Sequence, residues 1–398
     1  MILTIFAACC RIFGNDLSCP LPVADMAADF VQLPMCDMTV SQERKGVGEQ
    51  ERKGAMEQER KWAAEEERGE GMTMLGEPVV PGLTSGVLIG PTRVWREGRE
   101  CVTEVAELFP PGLTASLDTG QEGGGWRVAL WRAASSFTML AVGLGAKLLL
   151  KVGNTTVVHG QEHLDTALAR PPGTPLVSVT NHQSCLDDPG IWGAILGPGL
   201  LANTRAMRWG ASASEVIFLN RPLATFWSLG KVVPIVRGWG VHQPAMAFLL
   251  DRLDRGAWVN IFPEGRVNWP PSPIRLRWGV GRLLADCSAP PLLLPVCHRG
   301  MDRVLPNPET KGHKQAVRPR LGNLVTVCVG RPVDMAPLVN RLRAEGAGEE
   351  EVRARLTEEV QGVMDRLGEE AGARHRENME AWLGRWHDTI DTTPSILT

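Results

Sequence analysis

Between residues 153 and 335, short apolar runs bounded by Gly, Pro or Asn recur at close intervals, and this alternation constrains the fold more than any other feature. The runs are TTVVHG, PLVSVTN, EVIFLN, VVPIVRG, WVNIFPEG, PLLLPVCH and LVTVCVG, each of a length and composition that predicts a β-strand. Helical patterns are expected between several of them, over 187–196, 223–230, 244–255 and 275–287. Strands alternating with helices imply an α/β fold, a central sheet with helices packed on its faces. The apolar content of 43 % suffices for such a core.

The flanks are different. Residues 41–72 form an octapeptide repeat, SQERKGVG, EQERKGAM, EQERKWAA and EEERGEGM. Eight residues advance a helix by about 80° past whole turns, so no apolar face accumulates along the repeat. With the Gly/Pro-rich stretch that follows, residues 1–125 read as a largely disordered extension. Its start, MILTIFAACCRIF, has no basic residue ahead of the apolar run and supports no targeting assignment. Nine cysteines include no Cys-x-x-Cys pair, which points to a reducing compartment or to buried thiols.

Residues 126–152 are largely apolar, and Ala133–Ala146 carries no charge, with Arg132 and Lys147 at its ends. That charge-free stretch is shorter than the roughly 20 residues a spanning helix needs. Two basic residues able to snorkel, with Trp126 and Trp131 at one end, suit a membrane helix that is interfacial or re-entrant; a buried core helix is the bland alternative. After Pro337, Val352, Leu356, Val360, Val363 and Leu367 recur at spacings of three and four. Residues 336–398 therefore read as an amphipathic helical tail, packed on the domain or lying at a membrane surface. Formal charge is −5 over 1–152, +7 over 153–335 and −5 over 336–398. A basic centre suits an anionic partner such as phosphate headgroups. Neither a zinc module nor an RNP-like aromatic signature accompanies it, so no nucleic-acid partner is expected.

The residues that could carry chemistry sit where strands are expected to end. In VSVTNHQSCLDDPGIW, His182 lies five residues before Asp187. A histidine accepts a proton near neutral pH, and does so better when a carboxylate holds its other ring nitrogen. On one continuous helix the two side chains would lie about 140° apart, but a strand–turn–helix lets them converge. Taken alone the spacing is also compatible with Asp187 as a helix N-cap and His182 as a solvated turn residue. Three further strand ends change that weighing: Arg221 after VIFLN, Glu264 and Gly265 in IFPEG, and Pro295 in LLLPVCH. Ligands of open α/β sheets bind outside the strand carboxyl ends, and arginine suits a phosphodiester. His159 and His163, four apart, lack a third ligand nearby and read as surface residues, so no metal site is expected. Cys185 reads as a bystander, and no Gly-x-Ser-x-Gly elbow is present.

These four blocks, in this order, resemble the glycerophospholipid acyltransferase superfamily. Asn181, His182 and Asp187 match its first block, Phe218 and Arg221 its second, Phe262, Pro263, Glu264 and Gly265 its third, and Pro295 its fourth. NHQSCLDDPGIWG, MRWGASASEVIF, FWSLGKVVPIVRG, IFPEGRVN, RLRWGVGRLLADC and HRGMDRVLPN are similar to the tafazzin family within it. Arg266 follows Gly265 directly and Val267-Asn268 come next, where acyl-CoA-dependent relatives continue Gly-Thr/Ser-Arg-Ser; Arg221, in contrast, is what those relatives carry.

The resemblance implies an acyltransferase domain over 153–335 with His182 and Asp187 catalytic. Asn181, Phe218, Arg221, Phe262, Pro263, Glu264, Gly265, Arg266 and Pro295 would bind substrate, with phosphate on Arg221 and Arg266. The oxyanion donors are not identified by the sequence, a backbone N–H near Gly265 being one candidate, and Glu264 either bonds a glycerol hydroxyl or shapes its loop. The implied reaction is CoA-independent transfer of an acyl chain from a phospholipid to a lysophospholipid, cardiolipin and its lyso form foremost, at a mitochondrial membrane. Ester is exchanged for ester, so no cofactor is expected. Acyl-CoA-dependent transfer and non-catalytic lipid binding are the competing readings, and a homo-oligomer is left open.

Overall fold

The computed structural model describes residues 94–96, 99–110, 113, 125–268, 272–306 and 318–391. The octapeptide repeats and most of the 1–125 extension lie outside them. Within that extension a hairpin forms from β1 (Val94–Arg96) and β2 (Arg99–Cys101). The chain then follows the domain: the Val102 amide donates to the Phe218 carbonyl at 2.9 Å, and Val105 and Leu113 are buried. Phe109 stacks on Phe248 and meets Trp131 and Trp209 edge-on. This short part of the extension packs on the domain through its aromatic contacts.

The helix α1 (Gly125–Lys151) is followed by β3 (Thr155–His159), α2 (Gln161–Leu168), β4 (Leu176–Thr180), α3 (Asp187–Ile195) and the short α4 (Pro198–Leu201). Then come β5 (Trp209–Ala213), α5 (Ser214–Ile217), α6 (Arg221–Leu229), β6 (Val232–Ile235), α7 (Pro244–Asp254) and β7 (Trp258–Ile261). The domain closes with α8 (Gly279–Ala285), β8 (Leu292–Arg299), α9 (Met301–Val304), β9 (Leu324–Val329), β10 (Val333–Asp334), α10 (Ala336–Ala344) and α11 (Glu349–Asp391).

Eight strands form one mixed sheet in the order β3-β9-β8-β4-β7-β5-β6, with β10 on β8. All neighbours pair in parallel except β8 with β9 and β10 with β8. Alternate residues of the central strands serve opposite faces, as the strand period of two requires. Val177, Val179, Val259 and Ile261 join the core under α7, α8 and α11, whereas Leu176, Trp258, Leu294 and Val296 join the core under α1 and α3. Burial on both faces explains why these strands read as largely apolar runs.

One expected strand is a helix. EVIFLN holds α5 and the turn after it, while the strand is the preceding WGASA. A four-residue apolar run can bury itself equally well as a helical turn, and here Phe218 closes over Ala224 and Val232. The true strand has too few large apolar residues to show in a hydrophobic pattern; its ladders to β6 and β7 hold it in place.

Helix α1 packs one side on α3, where the backbones approach so closely that a Cβ at Gly193 would lie 2.7 Å from the Gly143 carbonyl oxygen. Ser135 donates to the Leu229 carbonyl at 2.6 Å, and the Lys147 ammonium to the Ala194 carbonyl at 3.0 Å. Trp126, Leu130, Phe137, Leu144 and Leu148 are exposed. At 100° per residue these five fall within a sector of about 40°. Among the described residues α1 is the one helix long and apolar enough to cross a membrane by length and composition. Helix α11 lays Val352, Leu356, Val360, Met364, Leu367 and Ala371 against the domain, with Met364 taking the buried place expected for Val363. Its Arg353 grips Asp286 through Nε and Nη2 at 2.9 and 3.0 Å.

Candidate active site

The strands β4, β5, β7 and β8 point the same way, so their carboxyl ends line one edge of the sheet. The chain leaves β4 through Asn181 and His182, turns, and enters α3 at Asp187. This turn brings the two side chains together: the His182 Nδ1–H donates to Asp187 Oδ2 at 2.8 Å. The Gln183 and Ser184 amides donate to the same oxygen at 2.6 and 2.9 Å. Asp187 thus gathers donors from the turn before it and does not cap the helix it begins.

Asp187 is fully buried. Burial alone would raise its pKa, but the His298 imidazole beside it and hydrogen bonds from His182 and His298 hold the carboxyl well below the usual carboxylate range. An ionised carboxylate only accepts, so His182 carries its proton on Nδ1 and presents the Nε2 lone pair. The His182 side chain is 22 % exposed, and Nε2 has no partner among the described residues. A base held this way can take a proton from a hydroxyl brought to it and return it in a later step.

The third block fixes the backbone of this histidine. The His182 amide donates to Glu264 Oε1 at 3.0 Å, and the Asn268 amide donates to the His182 carbonyl at 2.7 Å. The Phe262 ring lies 4.5 Å from the imidazole, tilted by 31°. Burial raises the Glu264 pKa above its ordinary value, and its Oε2 is buried without a partner. Pro263 is buried and accepts from the Arg277 amide; Gly265, at φ +69°, and Arg266 are exposed. The Gly265 amide donates to the Phe262 carbonyl at 3.1 Å, so this candidate oxyanion donor is engaged in the turn itself.

Other expected residues fall elsewhere. Asn181 bonds protein, not solvent: its Nδ2 donates to the His298 carbonyl and its Oδ1 accepts from the His298 amide, at 3.2 and 2.8 Å. Phe218 is fully buried with Ala224 and Val232 and packs the core. Pro295 is buried in mid-strand, because β8 runs on to Arg299 and does not end at the proline. Arg221 opens α6, 79 % exposed, with its guanidinium on Glu107 at 2.9 Å. His159 accepts from Asn378 and His163 bonds the Val329 carbonyl, so each imidazole has its own protein partner.

Two features escaped the sequence reading. Asp188 pairs with Arg208 and accepts from Asn260 Nδ2 at 3.3 Å; Asn260 in turn accepts from Ser178 and Thr180, and Ser178 from the Trp258 indole. This polar ladder crosses β4 and β7 behind the dyad and fixes where α3 begins. The alternation of polar with apolar residues in VSVT and VNIF was its signal. The second feature is His298, fully buried at the end of β8 with Nε2 3.4 Å from Asp187 Oδ1. The HRG that follows VC carries it, but nothing in the sequence said that it faces Asp187.

A family model described as Acyltransferase matches residues 155–299, which span the strands and loops of this site. Tafazzin of Drosophila melanogaster is 37 % identical over 248 residues, 62 % of this chain and 64 % of that protein, so the match spans somewhat less than two thirds of that relative. N-acylphosphatidylethanolamine synthase of Arabidopsis thaliana is 37 % identical over 198 residues, 49 % of this chain and 69 % of that one. Tafazzin of Saccharomyces cerevisiae is 30 % identical over 258 residues, covering 55 % of this chain and 67 % of the yeast protein. With a yeast tafazzin matched at 30 % identity over two thirds of its length and the acyltransferase model covering 155–299, the chain belongs to the tafazzin family of acyltransferases.

Proposed function

We propose that this chain moves acyl chains between glycerophospholipids without CoA, acting on cardiolipin and its lyso form at a mitochondrial membrane. The observation that carries the proposal is the buried, ionised Asp187 holding His182 with Nε2 open. His182 takes the proton from the free hydroxyl of a lysophospholipid as that oxygen attacks the ester carbonyl of a donor phospholipid. The tetrahedral intermediate then expels the donor's glycerol oxygen, which receives the proton from His182. One ester forms as another breaks, so the step requires no nucleotide or thioester. Phe262 beside the imidazole offers an apolar wall for an acyl chain, while Arg221, paired with Glu107, and Arg266 are exposed cations suited to lipid phosphate.

The exposed apolar sector of α1 supports work at a bilayer surface, where diacyl lipids remain. A cleft of about 580 Å³ lined by Arg132, Ser136 and Arg205 flanks this helix, apart from the residues of the dyad and its neighbouring loop.

The test is to incubate purified protein with acyl-labelled phosphatidylcholine and monolysocardiolipin in the absence of CoA. Label is expected in cardiolipin. Transfer that appears only on adding acyl-CoA overturns the reading in favour of a CoA-dependent enzyme. The likeness to the Arabidopsis synthase motivates a second reading, in which the acceptor is the amine of phosphatidylethanolamine. Replacing the lysolipid by phosphatidylethanolamine and looking for an acid- and base-stable amide product separates the two.

A further inference from the structure

Asp187 has two oxygens, and the dyad uses one. Oδ2 receives the His182 imidazole and two backbone amides, while Oδ1 is buried with no hydrogen bond of ordinary length. The nearest donor to it is His298 Nε2 at 3.4 Å. That nitrogen also lies 3.0 Å from the Asn181 carbonyl oxygen. A carbonyl can only accept, so Nε2 carries a proton that it donates to the Asn181 carbonyl, with Asp187 Oδ1 lying 3.4 Å from the same nitrogen. Nδ1 of the same ring is buried and unpartnered. A polar ring enclosed with one nitrogen unsatisfied is a cost that a packing role does not explain, since an apolar residue would fill the place without it.

The backbone of His298 is held as firmly as its ring. Asn181 donates to its carbonyl and accepts from its amide, joining the residue just before the catalytic histidine to the end of β8. The two imidazoles therefore approach Asp187 from two strands, His182 from β4 and His298 from β8. The charged groups acting on His298 are Asp187 on α3, its neighbour Arg299, and Asp302 on α9.

We propose that His298 is a positioning residue for the dyad: its Nε2–H holds Asp187 Oδ1 and thereby fixes the carboxylate whose other oxygen orients His182. Burial of the ring opposes its charged form, but the Asp187 carboxylate beside it raises its pKa above the ordinary histidine value. The inference rests on the catalytic reading of His182 above, but its geometry can be examined without turnover.

The experiment compares His298→Gln with His298→Asn. Glutamine places an amide N–H close to the position of Nε2; asparagine is polar and small but one methylene too short. Two readouts are taken on the full chain. The first is CoA-free transfer, with kcat and KM measured separately. His298→Gln should stay within about threefold of the parent kcat, whereas His298→Asn should lose about 10- to 100-fold with KM held within about twofold, the range for a lost hydrogen bond to a charged group. The second is titration of the His182 imidazole by NMR with labelled histidine: its pKa should move in His298→Asn and remain in place in His298→Gln. Equal loss in both variants, equal retention in both, or failure of both to fold overturns the proposal. If the parent protein transfers no acyl chain, the functional reading fails, while the NMR titration still decides whether His298 sets the state of the dyad.

Discussion

The segment that follows β4 and the segment that follows β5 leave the sheet at the same edge, since both strands run parallel to β7. After β4, polar groups converge: two amides and the His182 imidazole meet on one carboxylate oxygen, and Glu264 and Asn268 hold the histidine backbone from the next loop. After β5, they disperse. Asn220 caps α6 by accepting from the Leu223 amide at 3.0 Å, Phe218 turns into the core, and Arg221 extends to Glu107. A loop becomes a site when neighbouring strands contribute donors to the same few atoms. The β4 loop has β7 on one side and β8 on the other, whereas the β5 loop is one strand from the sheet edge.

The most direct way to break this contrast is to remove the convergent groups. His182→Ala should lower acyl transfer by about 10³- to 10⁴-fold, the upper part of the range for a general base, with the fold intact because the ring is partly exposed. Asp187→Asn should be comparably damaging and should also change acid stability. The folded-state pKa of Asp187 lies below its unfolded value, so its contribution is present above about pH 4 and fades as pH falls toward the folded value. Urea denaturation at pH 7 and pH 3 should show a smaller loss of stability on acidification in Asp187→Asn than in the parent. An unchanged difference between the two pH values would mean that the carboxylate is less well held than its donors indicate.

On the dispersed side the largest effect should fall on stability instead of rate. Phe218→Ala empties a fully buried aromatic position and should cost about 3–5 kcal/mol, read by denaturant unfolding. Activity per folded molecule should keep its KM. A raised KM without lost stability would place the β5 segment in the substrate site and remove the contrast.

What the sequence revealed follows the same division. The strand–turn–helix from β4 into α3 was legible because a single local turn brings His182 and Asp187 together, and spacing records local geometry. The apolar runs exposed six of the seven expected strands because central strands buried on both faces carry little else. WGASA shows no hydrophobic pattern because it holds few large apolar residues, and EVIFLN reads as a strand because a short apolar run does not reveal its period. His298 could not be assigned, since its meeting with Asp187 depends on β8 lying beside β4, a pairing across more than a hundred residues. Arg221 looked like Arg266 in sequence, each a basic residue past an apolar run, although only Arg266 follows directly on the loop that holds His182.

Glu264 lies between the two behaviours and sharpens the comparison. Its carboxylate bonds the His182 amide, so Glu264→Gln keeps an acceptor there and should retain most activity. Glu264→Ala leaves that partly buried amide without this acceptor and should cost about 1–3 kcal/mol in the activation barrier or in stability. If glutamine is as damaging as alanine, the carboxyl group itself is needed by the substrate, and Oε2, buried without a partner, is where a glycerol hydroxyl would bind.

The smallest expected effect concerns Arg221 and Glu107. An exposed pair of this kind contributes less than about 1 kcal/mol, so neither Arg221→Ala nor Glu107→Ala should measurably shift unfolding. Their effects on lipid turnover should have opposite signs if Arg221 meets phosphate. Arg221→Ala would then raise KM for the lipid a few-fold, while Glu107→Ala, by releasing the guanidinium, would leave KM unchanged or lower it. Because the pair is solvent-exposed, raising the salt concentration should weaken it and narrow the difference between parent and Glu107→Ala. If all three proteins share one KM at low and high salt, Arg221 is a surface residue that happens to follow β5, and the phosphate must be held from another strand end, where Arg266 is already in place.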